Sequence, residues 1–240
     1  SISGATGSSL NISIASANDS GLYSVLVENS FSAASSGSIN VSVVTPPVIQ
    51  SELEDEILIV GSSVEKVAQV SGSEPLVYIW SKDGDVLEEY DSNNLQLNQL
   101  KVDDSGVYTL KVSNKAGMAE TSVKIDVYSE LTFAKEPLSI EAYIGGDGKL
   151  TAEVEGTAPV TYQWKFKGED IAGETGIELN LSNISGVNVG SYQIVASNPV
   201  STIVSGEALL KLLQPVSIEK QPSGGTYSLG SDITLSVNAV

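Results

Sequence analysis

Apolar and polar residues alternate along most of this chain, in short bursts. "SVEKVAQV" (63–70), "KLTAEVE" (149–155) and "ITLSVNA" (233–239) place an apolar residue at about every second position, as do "YTLKVS" (108–113) and "YQIVAS" (192–197). A period of two with one apolar side predicts half-buried β-strands. Turn residues separate the bursts at intervals of roughly 8–12 residues, the rhythm of a β-sandwich. No stretch sustains a 3.6-residue period, so helix is expected only as single turns just before each Asp-x-Gly-x-Tyr. "KDGD" (82–85) and "KFKGED" (165–170) read as hairpins in which Gly supplies a positive φ. Asn29, Asn114 and Asn198 sit where the last hairpin must reverse, a left-handed position that Asn tolerates.

The bursts recur in register. "VSGSEPLVYIWSKDGDVL" (70–87) returns as "VEGTAPVTYQWKFKGEDI" (154–171), with Trp80 and Trp164 84 residues apart. "NDSGLYSVLVEN" (18–29), "DDSGVYTLKVSN" (103–114) and "NVGSYQIVASN" (188–198) share one pattern, and their Tyr23, Tyr108 and Tyr192 are spaced by 85 and then 84. Gly61, Gly145 and Gly230 mark the start of the unit three times. The expected frame is a partial module (1–44), two whole modules (45–128 and 129–213) and the start of another (214–240). Both end pieces are expected to be cut, and to be completed by further sequence, by a neighbouring chain, or not at all. The short junctions "VVTPPVI", "DVYSELTF" and "LLQPVSI", two of them with Pro, predict a stiff, elongated array.

A Trp followed 28 residues later by the Tyr of Asp-x-Gly-x-Tyr (Asn188 replaces the Asp in the third copy) resembles the immunoglobulin superfamily, nearest its I-set branch. The resemblance covers essentially the whole chain and implies tandem all-β immunoglobulin-like sandwiches. It implies that Trp80 and Trp164 are core residues. It further implies that Tyr23, Tyr108 and Tyr192 form tyrosine corners, with Asp19 and Asp104 bracing the turns. The positions where the family usually carries a disulfide hold Ala68, Ala152, Val25, Leu110, Ile194 and Val237. Packing of aliphatic side chains, roughly 1.5–3 kcal/mol each, is expected to replace a link worth about 2–4 kcal/mol. The Arg that often pairs with the motif Asp is absent, so that pair is expected to be missing or to use Lys.

Composition removes several functions. The 240 residues carry 12 basic and 30 acidic side chains, a net charge of −18, and every basic residue is Lys. Nucleic acid needs a basic footprint, so it is not an expected partner. No apolar run reaches the length of a membrane-spanning helix, and no membrane insertion is expected. With no signal peptide and no initiating Met, the chain is expected to be mature, cut or a fragment. The chain has no Cys and no His, which excludes disulfides, Ser-His-Asp and Cys-His catalysis, and His-based zinc sites. It can therefore fold in a reducing cytosol. "IGGDGK" (144–149) lacks P-loop spacing and reads as a turn. The carboxylate groups Glu52/Glu54/Asp55/Glu56, Glu88/Glu89/Asp91 and Asp103/Asp104 read as solvated faces, with calcium as the functional alternative to them. The five Asn-x-Ser sequons, at Asn11, Asn18, Asn40, Asn180 and Asn183, read as accidents of composition.

The chain is therefore expected to be a non-enzymatic display or spacer segment without catalytic, cofactor or metal residues. Candidate binding loops place Glu74, Lys115, Ala158 and Pro199 at module ends, and Tyr90 in "LEEYDSNN" as an exposed aromatic. The modules resemble those appended to capsid decoration and tail proteins of tailed phages. That implies a virion-surface role in weak attachment to a cell-surface protein or glycan, alongside other virion or surface proteins. A bacterial cell-surface adhesin and an intracellular muscle-type structural spacer are the alternatives.

Overall fold

The computed structural model describes residues 1–239; Val240, the last residue of the expected fourth module, lies outside the described residues. The chain is all-β, with one-turn 3-10 helices at Ala17–Asp19, Val102–Asp104 and Gly186–Asn188, just before each Tyr motif. It divides into two compact units, residues 1–127 and 128–240.

In the first unit, the strands up to residue 49 are β1 (Gly21–Tyr23), β2 (Leu26–Glu28), β3 (Ala33–Ser35), β4 (Ile39–Val41) and β5 (Val48–Ile49). They are followed by β6 (Glu56–Ile59), β7 (Val64–Val67), β8 (Val70–Ser71), β9 (Val77–Lys82) and β10 (Asp85–Leu87). β11 (Asn94–Leu97), β12 (Gly106–Asn114) and β13 (Gly117–Tyr128) complete it. The sheet β10-β9-β12-β13-β6 and the pairs β5–β8 and β7–β11 make the two layers of a sandwich. Alternation decides the layers: Tyr108, Leu110 and Val112 of β12 are buried, while Val107 and Lys111 face out. Trp80 lies opposite Leu110 in the register, and both are 0% exposed. A buried aromatic ring of this class removes roughly 150–250 Å² from water, about 4–6 kcal/mol of apolar transfer. The indole Nε1–H is satisfied by donating to the Ser92 carbonyl at 3.0 Å.

The second unit repeats the plan. Its strands are β14 (Thr132–Lys135), β15 (Ile140–Tyr143), β16 (Gly148–Thr151), β17 (Glu153–Glu155), β18 (Thr161–Phe166) and β19 (Glu169–Asp170). They continue as β20 (Glu178–Leu181), β21 (Gly190–Ser197), β22 (Thr202–Val204), β23 (Ala208–Leu213), β24 (Ile218–Lys220) and β25 (Asn238–Ala239). The sheet β15-β23-β21-β18-β19, with β22 also on β21, faces the pairs β14–β17 and β16–β20. Trp164 is 0% exposed and donates Nε1–H to the Gly176 carbonyl at 3.0 Å. Both hairpins "KDGD" and "KFKGED" turn through two residues at positive φ, Asp83–Gly84 and Lys167–Gly168, the turn that matches strand twist.

The disulfide positions of the two sandwiches, Ala68, Leu110, Ala152 and Ile194, are all buried, whereas Val25 and Val237 are more than half exposed. Residues 1–44 form the hairpin pairs β1–β4 and β2–β3, whose apolar Val25, Val27 and Ile39 face solvent. "ITLSVNA" departs from its expected strand: only Asn238–Ala239 pairs, with β24. Its alternating side chains Ile233, Leu235 and Val237 are exposed, and a strand pattern without a covered apolar side gains nothing from pairing.

A departure common to both sandwiches concerns sheet size. A four-stranded layer is usual for this fold. Here only six residues separate β10 from β11 and seven separate β19 from β20, too few for another strand and its turns. β11 and β20 are therefore outer edges. A second departure explains the uneven repeat length. β13 is continuous, but its counterpart is broken between β22 and β23, where the register against β21 slips by one residue. At that bulge the Ile194 N–H donates to Ser205 Oγ at 3.0 Å, and Ser205 Oγ donates to the Gly206 carbonyl at 2.9 Å. Ser36 and Gly37 repeat it: the Val25 N–H donates to Ser36 Oγ, which donates to Gly37. The extra residue of each bulge accounts for spacings of 85 where the uninterrupted module gives 84.

Candidate functional site

Each sandwich is closed at the end where the chain enters it, around one asparagine. Asn114 ends β12. Its Nδ2 donates to the carbonyls of Thr45, the residue entering the module, and of Ser73, in the turn after β8, both at 2.8 Å. Its Oδ1 accepts the N–H groups of Ala116 and Gly117 at 2.8 and 3.2 Å, folding the hairpin to β13. The Thr45 N–H donates to Ser73 Oγ at 2.9 Å. In the second unit Asn198 Nδ2 donates to the carbonyls of Ser129 and Thr157 at 2.9 and 3.2 Å. Its Oδ1 accepts from the N–H groups of Val200 and Ser201. The Ser129 N–H donates to Thr157 Oγ1 at 2.9 Å. Asn29 makes the acceptor half, taking N–H groups from Phe31 and Ser32. The left-handed backbone expected of these asparagines is not what the fold uses. None of the three has a positive φ; the amide side chain, not the backbone, makes the turn.

Glycine completes the closure. Gly72 has φ +153°, and a Cβ there would lie 2.9 Å from the Pro47 Cα. Gly156 has φ +140°, and a Cβ there would lie 2.6 Å from the Leu131 side chain. The entering chain thus occupies the space a side chain would need. Pro75 and Pro159 in the same turns follow cis peptide bonds.

This clamp gathers the expected loop residues. Glu74 lies in the turn pinned through Ser73 and accepts the Leu76 N–H at 2.8 Å; Lys115 lies in the hairpin held by Asn114. Ala158 and Pro199 occupy the matching places around Asn198, and all four are exposed. Tyr90 corrects its expectation. It is half-buried against the core of its sandwich, and its hydroxyl donates to the Gln96 carbonyl at 2.9 Å. Burial, then Glu89 and Asp104, holds that phenol above its ordinary pKa. With no strand between β10 and β11, the connecting segment lays Tyr90 along the sheet edge.

The far turns carry the tyrosine corners. Tyr23, Tyr108 and Tyr192 donate to the carbonyls of Asp19, Asp104 and Asn188 at 2.7, 2.7 and 2.8 Å. Asp19 Oδ2 accepts the Ser16 N–H and hydroxyl, and these bonds hold its carboxyl below the usual range. Asp104 accepts the Lys101 N–H at 2.7 Å; Asn188 accepts the Ser185 N–H at 2.9 Å, so a neutral amide serves equally as cap. Burial, with Asp104 and Asp83 nearby, pushes Tyr108 up to about 12; burial also raises Tyr192. Lys82 donates to the Asp103 carbonyl rather than to the Asp104 carboxylate. Among the described residues no group of acidic side chains is arranged to hold a metal ion.

Sequence reasoning passed over Lys66. On β7 it points into the first sandwich and is 7% exposed. Its ammonium donates to the Glu54 carbonyl at 2.6 Å and to the Glu56 carboxylate at 2.5 Å. A lysine at an inward position of "SVEKVAQV" was the available signal.

The Immunoglobulin I-set domain family model matches residues 47–127. Hemicentin-2 of Mus musculus is 27% identical over 226 residues, covering 87% of this chain and 4% of its own length. The muscle M-line assembly protein unc-89 of Caenorhabditis elegans is 28% identical over 185 residues, covering 68% of this chain and 2% of its own length. In structure, the chain is similar to an I-band fragment of titin, with a TM-score of 0.65 at 24% identity over 83% of this chain and 77% of that fragment. The chain thus spans a few per cent of the length of these curated relatives. The relatives are animal proteins. They overturn the expected phage function and virion-surface location, which rested on a resemblance of the modules, and favour the structural-spacer alternative.

Proposed function

We propose that this array of immunoglobulin-like modules is a muscle-type structural spacer within a larger protein. The observation that carries it is the duplicated asparagine clamp. Thr45 and Ser129, where the chain enters each sandwich, are hydrogen-bonded to the final hairpin of the same sandwich. First and last segments of each module are thus tied together, which suits a unit that must keep its length when its ends are held. Similarity to a muscle M-line assembly protein and to the titin I-band supports the muscle setting. A chain without Cys also suits a reducing cytosol.

Stretching the whole chain between surface attachments tests this. Two discrete unfolding steps are expected. Each should release up to roughly 280 Å of chain, from the repeat of 84 residues at about 3.4 Å per residue. Smooth extension without steps overturns the spacer reading.

A further inference from the structure

The two sandwiches differ at the sheet edge left open by the short connection. In antiparallel pairing, hydrogen-bonded and non-bonded pairs alternate. The Ala68 N–H donates to the Asn93 carbonyl and the Ala152 N–H to the Ile177 carbonyl, which sets the phase of each ladder. With that phase and the observed registers, the backbone groups of Asn94 and Gln96 on β11 point away from β7. Those of Glu178 and Asn180 on β20 point away from β16.

On β11 that outer row is largely covered. Ser92 Oγ contacts both the N–H and the carbonyl of Asn94, at 3.3 and 3.4 Å. The Tyr90 hydroxyl takes the Gln96 carbonyl at 2.9 Å. On β20 the repeat puts Glu174 where Tyr90 stands and Gly176 where Ser92 stands. Among the described residues neither caps the strand, and β20 pairs only with β16. Both Glu178 and Asn180 are exposed. An unpaired row of N–H and C=O groups is a template for another strand.

We propose that the outer edge of β20 is a strand-addition site for an extended, cationic peptide segment of a partner protein. Main-chain bonds to Glu178 and Asn180 would hold it. On the inward side its alternate residues would lie beside Ile177, Leu179 and Leu181, which line the core edge, so apolar side chains fit there. On the outward side they would lie beside Glu178 and Asn180. Glu178 meets Lys149 at 2.7 Å yet stays about half exposed, and the chain carries a net charge of −18. Lysine or arginine fits those positions. The site is independent of the spacer role: a spacer with no such partner and a partner-binding segment that bears no load are both physically possible.

The test uses the full chain and a labelled twelve-residue peptide of alternating valine and lysine, followed by fluorescence anisotropy. One peptide is expected per chain. Asn180→Pro removes the outward N–H without touching the pairing to β16, and should weaken binding at least ten-fold while leaving thermal unfolding within a few degrees. Methylating alternate peptide amides keeps its charge and removes its donors; on the unmodified protein this peptide should bind at least ten-fold more weakly. Tyr90→Ala with Ser92→Gly uncovers β11 and should raise the stoichiometry towards two. Equal binding of the methylated and unmethylated peptides means attraction by net charge alone and overturns the proposal, as does Asn180→Pro binding like the unmodified chain.

Discussion

A lysine in the first sandwich stands where the second holds a leucine. Lys66 and Leu150 share a repeat position, both on the strand that faces the tryptophan, and are 7% and 1% exposed. Their surroundings differ in step. Two acceptors from the neighbouring segment, the Glu54 carbonyl and the Glu56 carboxylate, reach the ammonium. The residues at those repeat positions in the second sandwich are Leu138 and Ile140. The frame therefore does not dictate polarity at this site. It dictates that whatever enters must be met there, because an unmet buried charge is far more costly than a buried methyl group.

Exchanging the two residues should give the largest effect. Leu150→Lys puts an ammonium beside Ile140 and should destabilise the second sandwich by about 3–5 kcal/mol. Lys66→Leu should leave the first unchanged or stabilise it by up to about 2 kcal/mol, since the pair it removes recovers little beyond its own desolvation. Hydrogen exchange of the amides in β7 and β16 separates the two outcomes; equal losses would show that Lys66 stabilises by more than being satisfied.

The clamps come next. Asn114→Ala removes four side-chain hydrogen bonds and Asn198→Ala five, each at a half-buried site. At a net 0.5–1.5 kcal/mol per bond, partly restored by water, each should cost about 2–3 kcal/mol in its own sandwich. A urea denaturation series on both variants checks this. A loss below 0.5 kcal/mol in either would mean the entering chain is held by packing alone.

Smaller still, Tyr108→Phe and Tyr192→Phe should each cost about 1 kcal/mol at neutral pH, the worth of one hydrogen bond. Tyr108 is pushed up from 10.0 to about 12 on folding. A phenol whose folded pKa is raised favours folding fully below the unfolded value, and that contribution fades as pH climbs from about 10 through about 12. Unfolding free energy should therefore fall across that window, less steeply in Tyr108→Phe.

The least effect should come from the turn before each 3-10 helix. Gln99 and Asn183 occupy the same repeat position with φ of 52° and 51°. Asn tolerates that region better than Gln. Gln99→Gly should stabilise by about 0.5–1 kcal/mol, and Asn183→Gly by a few tenths at most. Thermal melts rank the pair.

The repeat made much of this readable in advance. Trp80, Trp164 and the three tyrosines announce their roles because core volume and the corner bond restrict both residue type and spacing. Glycine 72 and 156 recur for the same kind of reason. What stayed hidden depends on contacts between distant segments. Tyr90 looks like a loop aromatic until the short connection lays it on a strand edge. "SVEKVAQV" alternates well enough that Lys66 passes as an interruption, since its acceptors, Glu54 and Glu56, lie twelve and ten residues earlier. The asparagines were noticed for backbone freedom, whereas their partners, Thr45 and Ser129, lie 69 residues upstream. The setting is not legible in the repeat, because the same module serves unrelated roles.

That separation of 69 residues has a consequence during synthesis. A ribosome adds roughly 5–20 residues per second, so Thr45 waits about 3–14 s for Asn114 to be made. Until then the early strands of the sandwich have no last hairpin to close on, and nascent-chain chaperones have their opportunity. Asn114 emerges fifteen residues before Ser129, the first residue of the next sandwich to be clamped. The clamp of the first sandwich can therefore close before the next whole sandwich exists on the same chain. Production in order, from one end, keeps two near-copies from exchanging strands.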